Sequence, residues 1–391
     1  MQKFIKRIVV LFSLLVGVRL TLTHGVSPLI DRLLNRVNKQ KAVGVREETA
    51  VLHSQLFIAD LHSDPYLWNR NLLKRHRCGH IDVPRLIEGR VALQTVGVAA
   101  RIPWGLNFES NPDRSDMLAA LVVAQGKPLR TWRSQYQRAL FHAEQLQAMI
   151  AQEPDILMLI RSSQDLDRLL DRRRKRPITT GFLLGLEGVH ALEGNLARLP
   201  GLFAAGFRLL GLTHFFDNEA GGSAHGRQKG GLTPFGRDLI QAAEASQMTI
   251  DLAHASERLI EDVCAIAARP LIVSHTGVRA VCDSPRNLSD RHMKLVAQTG
   301  GLIGVALFDG AVGEATLTAV AQTMRYTADL VGVDHVAIGT DFDGAVTTPI
   351  DASGMPLLTQ ALLDAGFSPE ETAKIMGGNV LRFLRETLPA V

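Results

Sequence analysis

Several polar residues of this sequence stand where short apolar runs end, and their side chains are of the types that bind metal ions. Apolar runs of this length, with turn residues near them, are typical of buried parallel strands. Because a barrel of alternating strands and helices gathers the carboxyl ends of its strands at one face, we expect these side chains to meet there. The sequence therefore predicts a metal site with enough donors for two ions. The residues are His62, Asp64, Glu187, His214, His254, His275 and Asp341.

The types and spacing of these donors favour zinc. His62 and Asp64 are two residues apart, so alternation along a strand directs both side chains to the same side. Glu187 has two carboxylate oxygens and can bridge two cations. His254 and His275 end consecutive predicted strands. Three imidazoles and two carboxylates suit Zn²⁺ better than Mg²⁺ or Ca²⁺, and two bridged ions can hold a hydroxide between them.

Each of these residues alone also has an ordinary structural explanation. A His-x-Asp pair arises by chance in loops, a lone Glu can be a salt-bridge partner, and a lone His after a strand is more often a hydrogen-bonded core residue. The metal-site hypothesis depends on the combination of all of them at successive strand ends.

Predicted strands alternate with predicted helices along the chain, as in repeated strand–helix units. Eight strands predict a closed (β/α)8 barrel of the TIM type, with the metal site at the C-terminal ends of the strands. Residues 216–233 are rich in Gly and Ser, and we expect them to form a substrate-facing lid over these ends. Strands are predicted at 56–61, 92–99, 180–186, 207–213, 248–253, 271–274, 301–307 and 335–340. Helices are predicted near 115–125, 131–152, 163–174, 234–246, 256–268, 314–331, 356–364 and 369–386.

The bulk composition allows a large core and does not indicate a nucleic-acid partner. The chain has 391 residues, of which 46% are hydrophobic and 21% charged, and its formal net charge is +4. The basic run at 172–176 lies between a helical pattern and a strand, so we interpret it as a solvated loop and predict no nucleic-acid binding. Cys78, Cys264 and Cys282 match neither a zinc knuckle nor a disulfide framework.

The N-terminus differs in character from the rest of the chain. Lys3, Lys6 and Arg7 precede an apolar run at 8–18. This pattern indicates that residues 1–25 are a signal peptide or an uncleaved signal anchor. We therefore expect an exported or membrane-anchored protein whose catalytic domain lies outside the cytoplasm, in the periplasm if the source is bacterial. A helix that docks on the core is the alternative.

Two further regions follow this segment. Residues 26–48 are predicted to form a basic amphipathic linker helix, which could lie along a membrane surface or serve as a stalk. Residues 49–391 contain no low-complexity linker or internal repeat, so we interpret them as one catalytic barrel.

The chain resembles the membrane (renal) dipeptidases, binuclear zinc peptidases of the amidohydrolase superfamily, over nearly all of residues 53–386. The matching motifs occur in the family's order, which makes the resemblance specific. They are Asp60-Leu61-His62-Ser63-Asp64, Asp82-Val83-Pro84-Arg85-Leu86, Leu186-Glu187-Gly188, Leu212-Thr213-His214, Gly231-Leu232-Thr233-Pro234-Phe235-Gly236, Asp251-Leu252-Ala253-His254-Ala255-Ser256, Ser274-His275, Arg286-Asn287-Leu288-Ser289-Asp290, Gly339-Thr340-Asp341-Phe342-Asp343-Gly344 and Gly377-Gly378-Asn379.

The resemblance implies a role for each ligand. His62 and Asp64 would bind one zinc ion, His254 and His275 would bind the other, and Glu187 would bridge the two. The expected cofactors are therefore two Zn²⁺ per chain.

The resemblance also implies three catalytic or substrate-binding residues. His214 would polarise the scissile carbonyl and stabilise the oxyanion, a role worth a few kcal/mol of barrier. Arg286 would hold the C-terminal carboxylate of the substrate in a bidentate pair. Asp341 would manage protons and orient the substrate amine. Departures from the family pattern at Val189 and at 215–217 leave the metal ligands intact but leave the side-chain preference undecided.

These inferences predict zinc-dependent hydrolysis of dipeptides by a metal-bridging hydroxide. Acceptance of a D-residue at the C-terminal position stays open. Another amidohydrolase reaction, on an N-acyl amino acid or a lactam, is the alternative among enzymes. A non-catalytic, membrane-tethered binding protein is the alternative of a different class. The expected partners are small dipeptides, with association of the N-terminus with a membrane and formation of a homodimer both left open.

Overall fold

The protein is built around a closed barrel of parallel strands. The computed structural model describes residues 27–38, 44–113 and 115–391. The strands are β1 Arg36–Val37, β2 Ile58–Asp60, β3 Val91–Ala99, β4 Leu157–Leu159, β5 Thr180–Glu187, β6 Phe207–Gly211, β7 Thr249–Asp251, β8 Ile272–Thr276, β9 Leu302–Val305, β10 Val336–Ile338 and β11 Thr347–Thr348. The order β3-β2-β10-β9-β8-β7-β6-β5 closes through direct pairing of β3 with β5. This confirms the predicted (β/α)8 fold and all eight predicted strands.

The strand β4 was not predicted. It pairs with the first residues of β5, beside the stretch of β5 that pairs with β6. Its apolar run spans only 156–160 and begins six residues after the end of a long helix at Ile150. A run this short cannot be told from the end of a buried helix by periodicity alone.

The helices surround the barrel, and most of those predicted are present. They are α1 Ser27–Leu34, α2 Glu47–Gln55, α3 Val83–Glu88, α4 Met117–Ala124, α5 Arg130–Arg133, α6 Gln135–Ile150, α7 Ser163–Lys175, α8 Leu199–Ala204, α9 Pro234–Ala245, α10 Glu257–Ile266, α11 Asp290–Gln298, α12 Asp309–Val312, α13 Leu317–Val331, α14 Met355–Asp364, α15 Pro369–Ala373 and α16 Asn379–Thr387. The basic run predicted as a loop instead forms the last turn of α7, where cations complement the helix dipole.

Two predicted helices are interrupted, each for a local reason. The helix expected over 131–152 breaks at Ser134, whose extended backbone lets its hydroxyl accept a hydrogen bond from the amide of Gln137 and cap α6. The helix expected over 369–386 contains a π-helical segment at Lys374–Gly378. There a β-carbon on Gly377 would collide with the carbonyl oxygen of Phe57, so the glycine allows the helix to approach β2.

Within the linker helix predicted over 26–48, the described residues 27–38 form a shorter helix followed by a strand. Helix α1 ends at Leu34, and β1 then pairs in parallel with β11. Asn35 follows the last residue of the helix, where its side-chain Nδ2 donates to Asp31 and its side-chain Oδ1 accepts from the amide of Ala345.

The predicted signal segment at 1–25 lies outside the described residues. Within the residues that the structure describes, no helix combines the length and the apolar character needed to cross a bilayer.

Candidate metal centre

The side chains predicted to form the site lie together at the carboxyl ends of the barrel strands, and all are buried. Closure of the barrel places these ends around one opening, so residues far apart in sequence become neighbours. In chain order they are His62 and Asp64 after β2, Glu187 at the end of β5, His214 after β6, His254 after β7, His275 in β8, Arg286 in the loop after β8, and Asp341 after β10.

Glu187 is the centre of this cluster. Its Oε1 atom lies 3.1 Å from Nε2 of His254, 3.4 Å from Nε2 of His275 and 3.5 Å from Nε2 of His62. Its Oε2 atom lies 3.4 Å from Nε2 of His214. A carboxylate that presents both oxygens to imidazoles on several strands has the position required of a bridging ligand.

The two predicted ligand pairs are present as close neighbours. Nε2 of His62 lies 3.3 Å from a carboxylate oxygen of Asp64, and Nε2 of His254 lies 3.1 Å from Nε2 of His275. The pairs also touch each other, because the rings of His62 and His275 stack with centroids 3.7 Å apart.

The donor atoms form three overlapping groups, and within each group they lie within 4.8 Å of one another. One group contains His214, which the sequence analysis assigns to catalysis rather than to metal binding. The groups are His62, Glu187 and His275; Glu187, His214 and His254; and His62, Asp64 and Asp341.

The site contains buried carboxyl groups whose ionised forms a cation would stabilise. Burial and the charge of Asp64 raise the pKa of Glu187 well above its ordinary value. Burial raises the pKa of Asp341 to about 7, although the charge of His62 opposes it. Burial lowers the pKa of His62, but Asp64 and Glu187 outweigh it and raise that pKa to about 10. Glu187 and Asp341 therefore hold protons more readily than free carboxyl groups do, and a bound metal ion would replace these protons.

The other imidazoles of the cluster are in the form that metal ions bind. Burial lowers the pKa values of His214, His254 and His275 well below the ordinary value, which keeps these rings neutral. Nδ1 of His275 lies 2.9 Å from the hydroxyl of Ser274. This contact occupies Nδ1 and leaves the Nε2 atom of His275 beside Glu187. In addition, Oδ1 of Asp64 is buried and lacks a hydrogen-bond partner among the described residues, so the donor set fits a bound cation.

Two buried acids that received no role from the sequence position the ligand-bearing segments. Asp60 accepts hydrogen bonds from the amide of Thr340 at 2.8 Å and from the side chain of Gln94 at 2.7 Å, which ties β2 to the loop after β10. Asp251 accepts from the amide of Ser274 at 2.9 Å and so joins β7 to β8. The signal in the sequence is an acid inside an apolar run, two or three positions before a predicted ligand.

The backbone is left-handed at two of the site residues. His254 has φ 63° and Asp341 has φ 61°, values that residues with a side chain adopt rarely. Such conformations concentrate at functional sites, where the surrounding structure holds them. Here each one stands three residues after a strand, and its side chain belongs to the donor cluster.

A cavity of about 370 Å³ opens onto the cluster. Arg286 and Asp341 line it beside the predicted ligands, and apolar side chains such as Trp104 and Phe308 form much of its outer wall. Arg286 is buried, and its guanidinium donates to the carbonyl oxygen of His275. The cavity therefore brings the predicted metal ligands together with the Arg286 guanidinium and the Asp341 carboxyl group.

The segment 216–233, expected to form a lid over the strand ends, does not border this cavity. No residue of this segment, all of which the structure describes, lines the cavity. Asp217 accepts hydrogen bonds from the amides of Ser223 and Gln228 and holds the loop closed on itself, while the hydroxyl of Ser223 donates to the carbonyl oxygen of His214. The loop therefore contacts the segment that carries His214.

Comparison with known proteins identifies the family of this chain. Residues 46–389 match the family model described as membrane dipeptidase, peptidase family M19. The curated protein dipeptidase aclJ of Aspergillus oryzae is 28% identical over 350 residues, which cover 84% of this chain and 77% of the relative.

Solved structures share the fold. The crystal structure of the probable dipeptidase PvdM from Pseudomonas aeruginosa has a TM-score of 0.73 at 21% identity and covers 88% of this chain and 98% of its own. A metallopeptidase from Rhodobacter sphaeroides, crystallised with a phosphinate mimic of the dipeptide L-Ala-D-Ala, has a TM-score of 0.69 at 22% identity and covers 85% and 99%.

Proposed function

The chain belongs to the membrane dipeptidase family of metallopeptidases, and on that premise we propose that it hydrolyses dipeptides with two zinc ions per chain. The observation that carries the proposal is the position of Glu187 among four imidazoles, in a cavity that also contains Arg286 and Asp341. The dipeptidase relatives and the match along 46–389 support the substrate class.

The donor set supports zinc. His62 and Asp64 would hold one ion, His254 and His275 the other, and Glu187 both. A mixture of imidazole and carboxylate donors in a closed, buried site is typical of zinc. When bound, such a metal pair polarises a carbonyl and makes a water molecule a nucleophile at neutral pH.

The fixed charges of the cavity would orient the substrate. The Arg286 guanidinium would pair with the terminal carboxylate of the substrate, and the Asp341 carboxylate would accept hydrogen bonds from its terminal ammonium group. Because both partners are buried, their contacts with a substrate form in a medium of low polarity and are stronger than in water. A dipeptide has a free ammonium group at one end and a free carboxylate at the other, so it can pair with Asp341 and Arg286 at once. An N-acyl amino acid or a lactam lacks the free ammonium group, which favours the dipeptide.

Asp341 would also carry the proton that hydrolysis must move. Water adds to the scissile carbonyl carbon, the C–N bond breaks, and the leaving nitrogen must gain a proton. A carboxyl group at this position could accept a proton from the attacking water and return it to the leaving nitrogen.

His214 would stabilise the oxyanion that forms when water adds to the carbonyl. Its Nδ1 atom lies 3.2 Å from the carbonyl oxygen of Arg101 and donates to it, so the neutral ring has no proton on Nε2. With this tautomer, Nε2 can donate to the oxyanion only when the ring carries a second proton, which it would take from solvent before water adds to the carbonyl; the contact would then be stronger in the transition state than in the ground state.

The stereochemistry at the second residue is part of the proposal. The phosphinate mimic of L-Ala-D-Ala bound by the Rhodobacter sphaeroides metallopeptidase supports acceptance of a D-residue at the C-terminal position.

We also propose that the N-terminal segment exports or anchors the protein and that the barrel works outside the cytoplasm. The basic residues Lys3, Lys6 and Arg7 before the apolar run at 8–18 support this. A homodimer stays a prediction, for which sedimentation of the purified protein is the test.

Metal analysis combined with a substrate panel tests the proposed activity. Protein stripped by a chelator should be inactive, and activity should return as zinc is added, reaching its maximum near two equivalents. The panel should contain L,L and L,D dipeptides, N-acetyl amino acids and a lactam. Full activity with one equivalent would contradict the two-metal site. Turnover of the N-acetyl amino acids or the lactam without the dipeptides would favour the other amidohydrolase reaction, and binding without turnover of any compound would favour a binding protein.

A further inference from the structure

We infer that helix α1 forms a wall of the substrate site, where Ile30 and Leu34 contact the side chain of the amine-bearing residue and favour a large apolar one. This inference rests on the proposed dipeptidase function and on the assignment of Asp341 to the substrate amine. It extends the site to a segment that the sequence predicts to be a linker.

Ile30 and Leu34 face the same cavity as the metal cluster. Both line it together with Glu187 and Asp341. They are four residues apart, so they lie one above the other on one face of the helix. Ile30 remains 40% exposed and Leu34 43% exposed, which leaves apolar surface on each that a substrate side chain could cover.

Helix α1 is fixed in place by a buried ion pair. Asp31 is 1% exposed and lies 3.1 Å from Nε of Arg70. The same guanidinium donates to Asp343, which also accepts a hydrogen bond from the amide of His80 at 2.7 Å. An ion pair this buried requires both partners, since loss of one leaves an uncompensated charge. The helix is therefore held to the barrel at its centre.

The C-terminal end of the helix is attached to the segment that follows Asp341. Asn35 accepts a hydrogen bond from the amide of Ala345 at 3.0 Å, and the backbone of β1 pairs with β11. The indole of Trp68, which also lines the cavity, donates to the carbonyl oxygen of Asp343 at 2.7 Å. These contacts place the apolar wall on the Asp341 side of the cavity.

The orientation of the substrate then decides which side chain meets the wall. Arg286 would bind the carboxylate, and Asp341 would bind the amine. The residue that carries the amine therefore lies next to α1, and its side chain would cover Ile30 and Leu34. Covering apolar surface of this kind favours a large aliphatic or aromatic side chain over glycine at that position.

The double variant Ile30→Ser with Leu34→Ser tests this, assayed with the isomeric dipeptides Leu-Gly and Gly-Leu. For Leu-Gly, kcat/KM should fall about tenfold, mainly through KM, because an apolar contact present in both ground and transition states is lost. For Gly-Leu, kcat/KM should stay within about twofold, since glycine makes no contact with the wall.

The matched control is the double variant Leu29→Ser with Leu33→Ser. It makes the same chemical change on the same helix at side chains that are 56% and 51% exposed and do not line the cavity. This control should leave both substrates unaffected. A second test variant, Ile30→Trp, narrows the cavity and should lower kcat/KM for Trp-Gly more than for Ala-Gly.

The outcomes separate this inference from the proposed function. If the wild-type protein hydrolyses Leu-Gly, three results for the test variant would overturn the role of α1: equal losses on the two isomers, no loss on either, or the same loss in the control variant. Each of them would leave the dipeptidase proposal standing. No wild-type turnover of any dipeptide would overturn both.

Discussion

The ring of His62 occupies the space that a side chain on Gly97 would need. A β-carbon built on Gly97 falls 2.5 Å from Cε1 and 2.9 Å from Nε2 of this ring, closer than carbon atoms in proteins approach. The glycine is at the carboxyl end of β3, beside the strand end that carries His62 and Asp64. The metal site therefore depends on a position that carries no functional group.

Gly97→Ala should displace His62, release metal and reduce activity by about a hundredfold, the cost of moving a catalytic group by about 1 Å. Metal content and kcat/KM measure this. The control is Gly185→Ala, which changes the glycine paired with Gly97 in β5. There the nearest atom lies at an ordinary 3.5 Å, so metal content and activity should be nearly unchanged. If the two substitutions reduced metal content and activity equally, the added methyl group would be disturbing the pairing of the strands and not the position of His62.

His214→Ala should keep both metal ions and lose about 10²- to 10³-fold in kcat, the usual scale for an oxyanion donor. The test is informative because Nε2 of His214 lies only 3.4 Å from Oε2 of Glu187, within reach of a shared ion. Metal analysis should accompany the kinetics. Loss of one metal equivalent would make His214 a ligand.

Arg286→Ala should raise KM for a dipeptide strongly while the metals stay bound, because the lost contact with the carboxylate is present in both ground and transition states. A dipeptide amide, which lacks the carboxylate, should lose much less. Arg286→Lys separates charge from shape, since it keeps the cation without the planar fork.

The control for this prediction is Arg279→Ala, a nearby arginine that pairs with Glu257 at the surface and should affect neither substrate. If acid and amide suffer equally from Arg286→Ala, its bond to the carbonyl of His275 is the main role of Arg286.

The metal-free protein should lose stability as the pH rises from neutral to about 10. Asp64 and Glu187 outweigh burial and raise the pKa of His62 from 6.5 to about 10 in the folded state. The folded protein thus binds a proton that the unfolded chain releases above pH 6.5, and the stability from this group is complete below that value and lost through pH 10. Urea unfolding at pH 7 and pH 9.5 measures it.

His62→Gln should reduce the decline between these pH values, and zinc should also reduce it by replacing the proton. The same decline in the wild-type and variant proteins would assign the effect to other groups.

A reporter enzyme that is active only outside the cytoplasm should be active when fused after residue 45. The expectation follows from Lys3, Lys6 and Arg7, which precede the apolar run. Substitution of the three basic residues by Glu is the control and should reduce export. Activity of a cytoplasmic reporter at the same fusion point, with silence of the other, would contradict the proposed localisation.

The alternation of apolar runs and helical patterns was sufficient to predict the barrel and the residues at its mouth. A buried parallel strand must be apolar along its length, so a polar residue at its end is visible without coordinates. For that reason the sequence was enough to predict that His254 and His275, at the ends of consecutive strands, belong to the same site. The specific roles of Arg286, His214 and Asp341 needed the resemblance to a family, because one polar residue after a strand looks like another.

Only the tertiary structure decided which distant segments complete the site. The amphipathic pattern of α1 is the same whether the helix lies on a membrane or on the barrel, and its position depends on the pairing of Asp31 with Arg70 and of β1 with β11. Gly97 looks like any strand glycine until the barrel closes and His62 lies over it. The Gly-rich loop at 216–233 looked like a lid because composition does not reveal hydrogen bonds that hold a loop closed. Contacts between residues far apart in sequence form only when the chain closes on itself, and no local pattern encodes them.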